Sequence, residues 1–400
     1  MLNYKHSTFN LQHSTLLMKL LFLRALAFMA RLGAHPRSPI RRVLVLKPDA
    51  LGDLLLATPA LRALRQGLPD ARITGLVGPW SRVIWAGNPD LDALLDLPFP
   101  AFSRTGGPRL SLLRPYWLLL RYAALLRRYD YDAALLLRDD HWWGAALVAL
   151  AGIPRRVGHA HPLCAPFLTD ALPYDPAEHV SRQSLDVVGV FLHTQRLNSS
   201  AAEPLRVKDQ LRFEPSANDQ AWAEQWIARH LAPGERFVAV HPGASGPTKA
   251  WPPDRWAALA DALAARGLRV VLTGGPAEAP LAAQVADLMR RPALSVAGAT
   301  GVGQLAALLG CAALVVGGDT GPLHIAVSQG APTLHLFGPS DPGRFGPWGD
   351  PAHNVVLRAD LSCSPCSSFD VCPRRTVPVE CMDRIQLAQV LRAAATLLGY

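Results

Sequence analysis

A chain of 400 residues, half of them hydrophobic and 18% charged, is too apolar for a disordered protein and long enough for two or three domains with buried cores. A formal charge of +9 favours an anionic partner: nucleic acid, a phosphorylated glycan, a nucleotide or an acidic membrane face. Nucleic acid fits worst, because arginine is spread through many segments and no basic run interleaved with aromatics occurs.

The chain opens with an extension, 1–40, that holds the apolar run LLMKLLFLRALAFMARL from Leu16 to Leu32. Lys19, Arg24 and Arg31 interrupt it too often for a membrane span, and an interfacial helix with its cations at the headgroups is expected instead. Strands are predicted at Val43 to Leu46, Arg72 to Val77, Asp132 to Leu137 and Arg156 to Gly158. Helices are predicted near Leu54 to Gln66, Leu110 to Arg128 and Trp143 to Ala151, with a loop around Leu97 to Pro108. After a polar stretch a second series follows. Its predicted helices are Asn218 to Leu231, Asp254 to Arg266, Glu278 to Met289 and one from Pro322; its strands are Phe237 to His241, Arg269 to Thr273, Leu314 to Val316 and Thr333 to Phe337.

Two such series imply an α/β protein of two Rossmann-like domains with parallel sheets facing across a cleft, ligands lying beyond the carboxyl ends of the strands. The expected boundaries are 41–200 for the first domain, 201–217 for a linker, 218–382 for the second domain with a cysteine-rich tail, and 383–400 for a final helix free to pack back on the first domain.

Three turns carry chemistry. In VLVLKPDALGDLLLATPALRAL the strand-to-helix turn lacks the glycines of a dinucleotide fingerprint and presents Asp53 instead; a carboxylate there is equally a helix-start residue. HPGASGPTKAWPPDRW offers backbone amides, hydroxyls and Lys249 to a phosphate, without Walker spacing. In GGDTGPLHIAVSQGAPTLHLFGPSDP a strand ends on Gly317-Gly318, Asp319 and Thr320 suit helix caps, Gly321 permits close backbone approach, and the amides after it form an anion site. VAGATGVG has the wrong glycine spacing for a dinucleotide, and Thr300 reads as a helix cap.

These blocks, with the GGPAE turn and in this order, resemble the glycosyltransferase family 9 heptosyltransferases of lipopolysaccharide assembly, from about Arg42 to the final helix. The resemblance implies the GT-B architecture and inverting, metal-independent transfer of heptose from an ADP-sugar donor to a lipopolysaccharide-core or lipid-linked glycan acceptor. It makes Asp53 the general base, which takes the acceptor hydroxyl's proton as that oxygen attacks the anomeric carbon. It places Thr248 and Lys249 on the donor diphosphate, Glu278 on the ribose, and Asp319, Thr320, Gly321 and His324 around the phosphate and sugar. Alternatives are a transferase for another nucleotide sugar and a non-catalytic glycan- or nucleotide-binding scaffold.

Asp139, Asp140 and His141, at the end of a first-domain strand, are acceptor-side candidates, with a capping turn before a buried tryptophan pair as the competing reading. Cys164 and Cys311 lie in apolar contexts and read as buried thiols. Cys363, Cys366, Cys372 and Cys381 have a spacing competent for structural zinc, with disulfides and free thiols equally open and a local structural role favoured over catalysis. No convincing cleavable signal occurs, so a cytoplasmic location is expected, with peripheral contact at the inner membrane's cytoplasmic face.

Overall fold

The computed structural model describes residues 39–100, 114–196 and 210–400. The expected interfacial helix, most of the expected loop to Pro108, the start of the helix expected from Leu110 and most of the expected linker therefore lie outside the described residues.

By their contacts the described residues form two compact units: 39–49, 60–100, 114–176 and 182–196 make one, and 50–59, 177–181 and 210–400 the other. The first part of the chain supplies strands β1 (Arg42–Leu46), β2 (Arg72–Val77), β3 (Ala93–Asp96), β4 (Ala133–Leu136), β5 (Arg155–His159) and β6 (Asp170–Leu172). Its helices are α1 (Leu51–Leu56), α2 (Thr58–Gly67), α3 (Arg82–Trp85), α4 (Arg114–Arg127), α5 (Trp142–Leu150) and α6 (Val180–Arg196). The second part supplies β7 (Phe237–His241), β8 (Arg269–Leu272), β9 (Leu294–Ser295), β10 (Leu314–Gly318), β11 (Thr333–Phe337) and β12 (Asn354–Arg358). Its helices are α7 (Ala217–His230), α8 (Pro253–Ala264), α9 (Ala279–Leu288), α10 (Val302–Gly310), α11 (Gly321–Ser328), α12 (Pro342–Phe345), α13 (Glu380–Asp383) and α14 (Leu387–Leu398).

Each sheet has six parallel strands, in the orders β3-β2-β1-β4-β5-β6 and β12-β11-β10-β7-β8-β9. Counted within its own half, the second order is the first one read backwards, so both sheets share one doubly wound topology. The strand order reverses between β1 and β4 and between β7 and β10, and the carboxyl ends of those four strands are where such sheets bind ligands.

The central strands are near-continuous apolar runs because helices cover both faces: RVLVL of β1 and FVAVH of β7 are buried almost throughout. A core cluster around Leu44, Leu136 and Trp143 fills the first unit, and one around Val238, Trp256 and Val316 fills the second. The final helix joins that second core through Val390, Ala394 and Leu398, and Trp251 donates its indole N–H to the Ile385 carbonyl at 3.0 Å. The apolar stripe of 383–400, a segment whose sequence leaves it free to pack back on the first domain, is spent on the sheet from which it emerges. Two details differ from expectation. The N-cap of α10 is Gly301 rather than Thr300, and Cys311, just beyond the end of that helix, is exposed whereas Cys164 is buried.

Candidate functional site

In the second unit, the loop after β7 and the turn after β10 meet through an ion pair. Lys249 Nζ lies 2.5 Å from Asp319 Oδ2, with both side chains about nine-tenths covered. Asp319 is therefore a partner of Lys249 and not a helix cap. Thr320 occupies the N-cap position of α11, but its side chain makes no capping hydrogen bond. The amides at the start of this eight-residue helix, to which Pro322 contributes none, thus follow directly on the residue that holds an ammonium group, and a helix start of this kind favours an anion.

The first turn of α1 packs against that same helix start. A Cβ on Gly52 would sit 2.9 Å from His324 Cδ2, and one on Gly321 would sit 3.3 Å from Leu51 Cβ. Only a glycine at 52 lets the two turns approach so closely, and Asp53, half-buried, is the next residue in the turn that packs on the start of α11. Asp53 was expected in the first domain, yet its segment, 50–59, belongs by contacts to the second unit. His324 is buried, its Nε2 is 4.0 Å from Asp319 Oδ1, and its Nδ1 has no hydrogen-bond partner. Burial pushes this imidazole down to about 4, outweighing the pull of Asp319, with His179 and Lys249 adding to the effect; it is neutral at pH 7.

Glu278 accepts a hydrogen bond from the Gly275 amide at 2.8 Å and stands 3.7 Å from His241 Nε2. His241 is fully enclosed, and burial holds it below the usual histidine range against the attraction of Glu278.

Thr248 departs from expectation. Its hydroxyl is buried and is directed to the Ser368 and Phe369 carbonyls, at 2.7 and 2.8 Å, so it anchors the Lys249 loop to the cysteine-rich tail. Gly246 leaves room for this contact, since a Cβ there would fall 2.4 Å from the Phe369 carbonyl oxygen. The Phe369 ring in turn covers Lys249, with Nζ 4.4 Å from the ring centroid. Neither half of this clamp was legible, because residue spacing does not reveal which loop a tail crosses.

The tail's four cysteines are unpaired, and all four line one cavity of about 80 Å³ together with Thr248 and Arg374. Among the described residues no group of three or more His, Cys, Asp or Glu side chains is arranged to hold a metal ion as it stands.

The first unit carries a second charged cluster, at the ends of β1 and β4. Asp49, 4% exposed, pairs with Lys47 at 3.2 Å and with Arg138, and Arg138 Nε donates to Asp140 Oδ1 at 2.6 Å. Burial works against the Asp49 carboxylate, but Lys47 and Arg138 hold it below the usual range. Asp140 is thus an ion-pair partner, while the neighbouring Asp139 carboxylate accepts the Asp140 amide at 2.9 Å. His141 is the N-cap of α5: its Nδ1 accepts the Gly144 amide at 3.1 Å, and burial pushes it down to about 4, with Arg138 contributing. The capping alternative thus describes His141, and Trp143 behind it is buried while Trp142 is half-buried. Lys47, Asp49 and Arg138 were missed as site candidates. The available signal was a charged pair following each of two predicted strands.

The model of glycosyltransferase family 9 (heptosyltransferase) matches residues 119–372. Lipopolysaccharide heptosyltransferase 3 of Escherichia coli (strain K12) is 31% identical over 310 residues, which covers 74% of this chain and 82% of that protein. Among solved structures, the glycosyl transferase family 9 protein from Veillonella parvula superposes with a TM-score of 0.70 at 24% identity, covering 91% of this chain and 99% of that one. The E. coli ADP-heptose lps heptosyltransferase II superposes with a TM-score of 0.68 at 21% identity, covering 90% and 99%.

Proposed function

Because the chain belongs to glycosyltransferase family 9 and has its GT-B fold, we propose that it transfers a heptose from ADP-heptose to a sugar of the lipopolysaccharide core, with Asp53 as the base. The observation that carries this reading is the packing of Gly52 on His324 and Gly321, which gives one place both a carboxylate and an anion-binding helix start.

In this reading the donor diphosphate lies at the first amides of α11 beside Lys249. Asp319 holds that ammonium in position before the donor arrives. The acceptor oxygen attacks the anomeric carbon from the face opposite the diphosphate and passes its proton to Asp53. The bond from the anomeric carbon to the phosphate oxygen breaks, ADP leaves with the electron pair, and the configuration inverts. Lys249 and the amides meet the charge that grows on the departing phosphate. Glu278 is assigned to the ribose and His324, as a neutral ring, to the sugar and phosphate region. Thr248 acts on this site through the position of its loop. Asp139 and Asp140 keep their assignment to the acceptor, with Arg138 beside them as a complement for an anionic core sugar.

Two finer assignments complete the proposal. The shared cavity supports structural zinc on Cys363, Cys366, Cys372 and Cys381, provided that the four thiols close on a common centre; metal analysis of the purified protein tests it, and a metal-free protein that ignores added zinc overturns it. The acceptor's lipid places the reaction at the cytoplasmic face of the inner membrane, with residues 1–40 as one contact.

The deciding experiment measures ADP release from ADP-heptose in the presence of core acceptors. Asp53→Asn should lower kcat by about 10²-fold or more while donor binding persists. Unchanged turnover would remove Asp53 from the mechanism, and donor binding without turnover on any acceptor would favour a scaffold.

A further inference from the structure

Helix α4 has a face that the transfer reaction does not use. Its inner side, Leu119, Ala123 and Leu126, is buried in the first unit's core, and the Pro115 carbonyl accepts the Trp143 indole N–H at 2.9 Å. The outer side is neither polar nor mixed in charge. Trp117 is 58% exposed, Leu120 59% and Leu125 40%, and Tyr129, just past the helix, is 41% exposed. Arg114 and Arg121 are exposed beside them, at spacings that keep both with Trp117 on one stripe of the helix, and Arg128, just past its end, is exposed too. Arg121 lies 5.3 Å from the Trp117 ring centroid, so cation and ring form one amphipathic surface. From Arg114 through Tyr129 the sequence contains no aspartate or glutamate.

We propose that this face of α4 docks on an anionic phospholipid surface. Aromatic and leucine side chains next to arginines match the boundary between acyl chains and phosphate headgroups, where each half of the pattern finds its solvent. The apolar segment from Leu16 to Leu32 of the same chain is a poor occupant, because it carries Lys19, Arg24 and Arg31 with no acid and would meet the arginines of α4 with like charge. Both cationic segments instead suit one anionic surface. The proposal stands apart from the transfer chemistry, since none of these side chains is assigned to the donor, the base or the acceptor.

Co-sedimentation of the full chain with vesicles of phosphatidylethanolamine and phosphatidylglycerol, against vesicles of phosphatidylcholine, tests it. The full chain should partition to the anionic vesicles, and the partition should weaken as salt is raised. Arg121→Glu should lower it by more than the roughly fivefold that one lost cation gives. Trp117→Glu combined with Leu120→Glu should lower it further, with an unchanged melting temperature because these positions are exposed. A parallel Arg24→Glu variant reads the contribution of the N-terminal segment, and an effect there alone overturns the assignment to α4. So does any of three other results: no partition by the unaltered chain, partition unchanged by both α4 variants, or a dimer in solution that the α4 substitutions dissociate. Turnover on a soluble acceptor should stay the same in the α4 variants, so loss of docking and failure of the transferase reading are separable.

Discussion

The Thr248 hydroxyl is aimed at the Phe369 carbonyl, 2.8 Å away, while the ring of that same phenylalanine covers the ammonium of the next residue, Lys249. A tail residue thereby fixes the loop on which the proposed donor lysine sits, from both its backbone and its side chain. Thr248→Val keeps the shape but takes the hydroxyl away from the half-buried Ser368 and Phe369 carbonyls, the second of which keeps only the long contact from the Thr248 amide at 3.4 Å, at a cost of about 1 kcal/mol. The expected result is a lower denaturation midpoint together with a raised KM for ADP-heptose, both restored by Thr248→Ser. A lower midpoint with an unmoved KM would mean that the clamp supports folding only.

Gly52→Ala separates packing from chemistry. Its methyl would press on His324, a buried ring with little room to turn, so the first turn of α1 must shift relative to the start of α11. Kinetics should register the shift as a fall in kcat of about 10²-fold in protein that is still folded, since a small displacement of a base can cost that much in rate while overpacking costs roughly 1–3 kcal/mol in stability. Normal turnover in this variant would argue that the closeness of the two turns is incidental.

Removing the Asp49 carboxylate takes the ion-pair partner from Lys47 and leaves Arg138 with Asp140 alone. Lys47 is 4% exposed at its side chain and Arg138 28%, so Asp49→Ala should destabilise by on the order of 3 kcal/mol, more than a typical surface ion pair is worth. Asp49→Asn, which keeps hydrogen-bonding oxygen and shape, should cost less. Urea titration of both variants checks the order.

The His141 cap makes stability depend on pH. Its folded value, about 4, lies below the ordinary 6.5, so between those values the unfolded chain takes up a proton that the folded one refuses. Stability is therefore full above 6.5 and falls as the pH is lowered toward 4, by up to about 3 kcal/mol. His141→Asn keeps a capping side chain without the titration and should flatten that slope; an unaltered slope would assign it to other buried imidazoles such as His324.

Much of the sheet was legible because its middle strands are short apolar runs bounded by turn residues; β2, β7 and β11 fall on the expected residues. The strands at and near the edges were not. In ALLD of β3 and NVVLR of β12 the side chains are only half-buried, and β9 has two residues, so neither apolarity nor length marks them. Helix α6 was missed because VSRQSLDVVGVFLHTQR opens on polar residues after an irregular stretch. The donor-side turns were visible as glycine-rich strand ends, whereas the Asp49–Arg138 pair spans 89 positions and the Thr248–Phe369 contact 121, separations over which a local pattern carries no information.

The affiliation of residues 50–59 bears on how chimeras of such enzymes are built. Exchanging halves with a relative at the polar stretch near residue 210 would join a foreign Leu51-Gly52-Asp53 to this chain's Gly321 and His324, a seam with contacts as tight as those of a core. A graft that moves 50–59 together with 210–400 keeps that seam native, and comparing the two designs would show whether donor preference travels with the C-terminal residues alone or needs the ten-residue piece cut from the other end of the gene.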